Sequence, residues 1–126
     1  MIDISRLSTP ALAYLGDAVL EVLVREALIL KGFEKSSTLN KEALKYVTAV
    51  NQAKAFSNIE GVLTESELGV FRRGKNSSHL NIPKSASPAE YKIATGFEAI
   101  LGFLKLNGDN NRINEIFALA YPDLSS

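Results

Sequence analysis

Residues 9–30 read TPALAYLGDAVLEVLVREALIL, and this stretch decides the fold class. Thr9 is placed to cap a helix, and Pro10 to fill its first position, where a missing N–H is harmless. Apolar residues then cover most of the helical circumference to about Leu30, and Gly32 follows as a stop. Such a helix predicts the central, buried element of a helical protein. Its polar residues do not scatter. Tyr14, Asp17, Glu21 and Arg25 follow at spacings of three, four and four, along one stripe. An aspartate within so apolar a helix needs a partner, because a buried carboxylate is costly unless it is paired or bound to a cation.

The helical pattern continues outward from this stretch. A second helical region spans about Thr38 to Ile59, with a break near Asn51. Thr64-Glu65-Ser66-Glu67 has the form of a capping box and opens a helix expected to end before Gly74. Gly74 to Ala86 is rich in Gly, Asn, Ser and Pro and reads as a loop long enough to carry function. Ser87-Pro88-Ala89-Glu90 is a second capping box, opening a helix to about Leu106. Asn107-Gly108-Asp109 closes it, and a last helix covers about Asn110 to Ala120 before Pro122. Alternating β-branched runs, which would have to flank an Asn-Gly or Asp-Gly turn to signal a hairpin, are missing. The chain therefore reads as one all-α domain over residues 1–126.

Composition narrows the function. The chain has 126 residues and is 46% hydrophobic, enough for a real core. It has no cysteine, which excludes a disulfide framework, cysteine-ligated zinc and a cysteine nucleophile. The opening MIDISRLSTP lacks a basic segment followed by an apolar run. Asp17, Glu21, Arg25 and Glu26 interrupt the longest apolar stretch, so no membrane span is expected. These features predict a soluble cytoplasmic protein. Fourteen basic and fourteen acidic residues balance, but unevenly. Between Phe71 and Lys92, Arg72, Arg73, Lys75, Lys84 and Lys92 stand against Glu90 alone. A basic segment on an acidic body suits phosphate contact. On charge alone, an ordinary solvated loop explains it equally well. His79, the single histidine, lies in this segment with no nucleophile elbow elsewhere. It reads as a surface or RNA-contact residue rather than a catalytic base. No Walker loop or GxGxxG is present, which argues against nucleoside-triphosphate binding.

Two carboxylates stand out as chemistry. Asp17 follows Gly16, and Glu98 lies in Gly96-Phe97-Glu98-Ala99-Ile100-Leu101-Gly102. A glycine inside a helix costs about 1 kcal/mol against alanine, so its use here points to close approach of another backbone or of a ligand. Magnesium is a natural partner for two such acids, since it keeps several waters and takes only one or two carboxylates. Buried salt bridges, Asp17 with Arg25 or Glu98 with Lys105 or Lys92, are the open alternative on the residues alone.

Leu12-Ala13-Tyr14-Leu15-Gly16-Asp17-Ala18-Val19-Leu20-Glu21 resembles the signature helix of the ribonuclease III family, which reads roughly LEFLGDAVLE. Ala94-Thr95-Gly96-Phe97-Glu98-Ala99-Ile100-Leu101-Gly102 resembles the family's second acidic motif, roughly ADxFEALLG. With Phe71-Arg72-Arg73-Gly74-Lys75-Asn76, the resemblance covers nearly the whole chain. It is to the short branch in which no double-stranded-RNA-binding domain follows. The resemblance implies a ribonuclease III endonuclease-domain-like helical bundle acting as a magnesium-dependent endoribonuclease and homodimer. It implies double-stranded RNA as substrate, 5′-phosphate and 3′-hydroxyl products, and a part in maturing 23S ribosomal RNA. Asp17 and Glu98 fall on the family's metal-binding, catalytic acids. Two further acidic positions of the family are Ala13 and Thr95 here. Thr95 could then hold a water on the metal. Glu21 either joins that outer layer or makes a structural salt bridge, the preferred reading. Arg72, Arg73, Lys75, Asn76, His79, Lys84 and Lys92 are the expected RNA contacts. The competing readings are an inactive double-stranded-RNA-binding module of the same fold and a helical interaction protein with no RNA role.

Overall fold

The helices cross where glycines let their backbones touch. The computed structural model describes residues 3–77 and 86–125. Its helices are α1 (Thr9–Leu30), α2 (Ser36–Val47), α3 (Ala49–Ser57), α4 (Glu65–Ser77), α5 (Pro88–Leu106), α6 (Asn110–Ala120) and α7 (Pro122–Ser125). Short 3-10 turns occupy Ile4–Arg6 and Glu60–Val62, and no strand occurs among the described residues. The all-α expectation holds.

The enclosed helix is α5, not α1 as expected. Phe97, Ala99, Ile100 and Leu101 of α5 are fully buried, and α1, α3, α4 and α6 all pack against it. α1 buries Leu12, Leu20, Val24 and Leu28 but leaves Tyr14, Val22, Ile29 and Leu30 exposed. Its apolar circumference is thus only partly matched by neighbours within the chain. The α1–α5 crossing depends on two glycines. A Cβ on Gly16 would lie 1.6 Å from the Glu98 carbonyl oxygen, and one on Gly102 would lie 1.9 Å from that of Leu12. No side chain fits either gap, so the helices meet backbone to backbone. On the other side, the Phe71 ring of α4 lies over Gly96, where a Cβ would stand 2.5 Å from it. That ring also stacks on Phe56 of α3 at 4.1 Å.

Three local expectations shift. Ser8 caps α1 by accepting the Ala11 N–H, while Thr9 donates to the Arg73 carbonyl at 3.4 Å and to Ser77 Oγ at 3.1 Å. The α2–α3 break falls at Thr48, whose extended backbone and Oγ1 cap α3; Asn51 closes that cap rather than breaking the helix. α4 runs through Gly74 to Ser77, because Gly74 is a packing glycine: a Cβ there would be 3.0 Å from both Ala99 Cβ and Gly96 Cα. Both capping boxes form. Thr64 and Glu67 exchange bonds of 2.9 and 3.1 Å, and Ser87 and Glu90 exchange bonds of 2.9 and 3.2 Å. Glu67 also receives Arg112 of α6 through Nε and Nη2, each at 2.8 Å. Arg112 is further held by the Val62 carbonyl and by Glu115.

Candidate active site

The glycine crossing sets the site. Gly16 lies against the backbone of Glu98, and Asp17 is the next residue. The two carboxyl groups therefore come together, near enough for the Asp17 charge to act on Glu98. Glu98 is half-buried, whereas Asp17 is exposed, contrary to the expectation of a carboxylate enclosed in an apolar helix. The stripe of Tyr14, Asp17, Glu21 and Arg25 lies along the side of α1 away from its buried residues. Burial of Glu98 and the neighbouring Asp17 charge push the Glu98 carboxyl up to about 8. A hydrogen bond from Gln52 Nε2 to Glu98 Oε2, at 3.2 Å, opposes that shift, and the charge of Glu21 adds to it.

Among the described residues, no arginine or lysine forms an ion pair with Asp17 or Glu98. Arg25 bonds Glu21 at 3.3 Å instead, which agrees with the structural reading of Glu21. The salt bridges weighed above are thus not the ones formed. Two adjacent carboxylates without a cation can share a proton or bind a metal ion. Among the described residues, no group of three or more His, Cys, Asp or Glu could hold a metal. Two oxygen acids alone would suit a hard cation that keeps most of its waters.

The remaining candidates divide. Thr95 is half-buried one turn before Glu98, and its hydroxyl donates to the Tyr91 carbonyl at 3.0 Å. Arg72, Arg73, Lys75 and Asn76 are exposed on the last turns of α4, and Lys92 is half-buried near the start of α5. The Thr9 bonds fix that end of α4 beside the first turn of α1. Gly74 packs on the Thr95–Ala99 turn, so the basic end of α4 and Glu98 share one contact region. His79 and Lys84 lie outside the described residues. Sequence reasoning missed Gln52. Its signal was present: Gln52, Ala55, Phe56 and Ile59 share one helical-face spacing, and all four are buried.

The model of the ribonuclease III domain family matches residues 10–109. Mini-ribonuclease 3 of Symbiobacterium thermophilum is 46% identical over 109 residues, covering 86% of this chain and 84% of that protein. Mini-ribonuclease 3 of Streptococcus pneumoniae is 39% identical over 118 residues, covering 92% of each. A crystal structure of a Fusobacterium nucleatum protein, 34% identical, superposes with a TM-score of 0.84 over 93% of this chain and 95% of that one.

Proposed function

The chain belongs to the ribonuclease III family and is an endoribonuclease of that type, and from this premise we propose that it hydrolyses double-stranded RNA with magnesium held by Asp17 and Glu98. The observation that carries the proposal is the pair of adjacent acids left without a cationic partner among the described residues. Such a pair repels itself once both members ionise, and a divalent cation relieves the repulsion. When bound, magnesium supplies Lewis acidity at the scissile phosphate and lowers the pKa of a water nucleophile.

The chain's own residues set the conditions for this. The Gly16–Glu98 contact fixes the separation of the two acids through rigid backbone rather than through loops. Burial and the Asp17 charge favour the protonated form of Glu98 in the metal-free protein, and a carboxyl group must be deprotonated to become a ligand. Exposed Asp17 leaves the site open on the side from which an RNA strand can approach. Arg72, Arg73, Lys75, Asn76, His79, Lys84 and Lys92 contact phosphates of the A-form duplex. A-form RNA is recognised mainly by shape, 2′-hydroxyls and phosphates, so these contacts carry little sequence preference and strong salt dependence. The unmatched apolar side of α1, including Val22, supports pairing of two copies. Two-fold pairing would set one site on each strand and give a staggered double cut with 5′-phosphate and 3′-hydroxyl ends. We place the homodimer in the cytoplasm, in maturation of 23S ribosomal RNA; no described helix is long and apolar enough to cross a membrane.

The test is incubation of purified protein with long duplex RNA, with and without magnesium. Cleavage should require the metal and vanish in Asp17→Asn with the fold intact by circular dichroism. Retained cleavage removes Asp17 from the site, and a gel shift without cleavage favours an RNA-binding module. Lys75→Ala should weaken duplex binding and flatten its salt dependence while leaving metal affinity alone. Equal loss of both would show the RNA path is drawn wrongly.

A further inference from the structure

A buried amide beside the acidic pair has no role in that reading. Gln52 is 3% exposed, on the face of α3 that also buries Ala55 and Phe56, where an apolar side chain is the usual occupant. Its amide is held from two sides: Nε2 donates to the Val47 carbonyl at 2.9 Å and to Glu98 Oε2 at 3.2 Å. The Val47 carbonyl can only accept, so the amino group must face it, and this fixes which way the amide points. That carbonyl is available because α2 ends at Val47 and the extended Thr48 starts α3. The α2–α3 corner thus reaches Glu98 through one side chain. Oε1 of the same amide is sealed from solvent and accepts no hydrogen bond among the described residues. An unsatisfied buried carbonyl is a cost that an apolar residue of the same length would not carry.

We propose that Gln52 is a positioning residue for the cation: it anchors Glu98 Oε2 so that the carboxylate stays turned toward Asp17 with its other lone pairs open to the metal. The proposal rests on the reading of Asp17 and Glu98 as a divalent-cation site. Its logic is electrostatic. Once both acids ionise, Glu98 is repelled by Asp17 and would swing away unless something holds it. A lysine or arginine at this place would hold Glu98 but neutralise it and compete with the ion. A neutral amide holds it without competing. Partners of this kind, one layer outside a metal, are worth roughly 10–100-fold in metal affinity.

The experiment uses the full chain without RNA and manganese as the probe, titrated by electron paramagnetic resonance. Gln52→Met matches the length and removes the donor. It should weaken manganese binding roughly 10–100-fold, with the melting temperature of the metal-free protein little changed. In cleavage assays, saturating magnesium should restore most of the parent kcat. If Gln52→Met melts below the assay temperature, Gln52→Asn replaces it. One methylene shorter, it cannot span both Val47 and Glu98, and the same loss is expected. Glu98→Gln separates the two readings. If Glu98→Gln binds manganese like the parent, the cation site itself is wrong. If it loses binding while the Gln52 variants stay within about twofold of the parent, Gln52 only caps α2 and the proposal is overturned.

Discussion

Glu67 opens α4 and Glu98 stands in the middle of α5, and the fold draws both inward but treats them in opposite ways. Glu67 is buried at 3% exposure and fully provided for. It accepts the Thr64 N–H at a helix N-terminus and a two-pronged bond from Arg112. Burial pushes its carboxyl up, but the Arg112 and Thr64 bonds outweigh burial and hold it below the ordinary value. Glu98 meets burial with another acid beside it and, among the described residues, the Gln52 amide in support, and it rises to about 8. A structural carboxylate brings its counter-charge within the chain. A carboxylate kept for binding leaves the counter-charge to come from outside. A static count of buried acids cannot separate these cases; their partners can.

Removing each acid should invert the two outcomes. Glu98→Gln should lower the cleavage rate on long duplex RNA roughly 10³-fold or more, the scale of losing charge stabilisation in the transition state. The same variant, melted without metal, should be as stable as the parent or more so, because the cost of burying an ionisable carboxyl beside Asp17 is gone. A cleavage rate near the parent's would break the comparison at its stronger end. Glu67→Gln should do the reverse. It removes the two-pronged partner of Arg112, whose side chain is 20% exposed, and leaves it the Val62 carbonyl and Glu115. Breaking such a pair costs about 3–5 kcal/mol, a fall in melting temperature of roughly 10–20 °C. Well below that temperature its cleavage rate should match the parent's. A parent-like melting curve would mean that the Glu67–Arg112 bridge does not hold α4 to α6.

The two glutamates also mark what the sequence could disclose. Local signals carried well. Both capping boxes, the bounds of α5 and α6, and a close backbone approach at Gly16 were legible, because each rests on neighbours within a few residues. Gly74 misled. A helix-ending glycine and a glycine required by Gly96 and Ala99 across a contact look the same in one chain. Arg112 lies 45 residues from Glu67, beyond any spacing rule, so Glu67 was readable only as a cap. The exposure of Asp17 was hidden for a related reason. Periodicity describes the circumference of α1 but not which sides find a neighbour, and Val22, Ile29 and Leu30 find none that covers them. The meeting of Asp17 with Glu98 was legible through motif resemblance alone, since nothing in their separation along the chain predicts it.

The smallest effect, and the finest test of the contrast, is the pH dependence of stability without metal. Glu98 titrates at about 8 in the folded chain against an ordinary value of 4.5. Between those values the folded state binds more protons than the unfolded, so stability falls as pH rises. The contribution of Glu98 is fully present below 4.5 and lost as pH climbs through about 8. Glu67 has the opposite sign: its folded value is lowered, so its contribution is present above 4.5 and lost as pH falls through the folded value. The metal-free melting temperature should therefore drift down by a few degrees from weakly acid to weakly alkaline pH, and drop again in strong acid. Glu98→Gln should flatten the first slope and keep the acid drop, while Glu67→Gln should lose the acid drop and keep the slope. Magnesium should reverse the alkaline decline in the parent, because binding replaces the proton that the acidic pair otherwise shares. A slope that persists unchanged in Glu98→Gln would assign the bound proton to another group and reduce the contrast between the two glutamates to one of location.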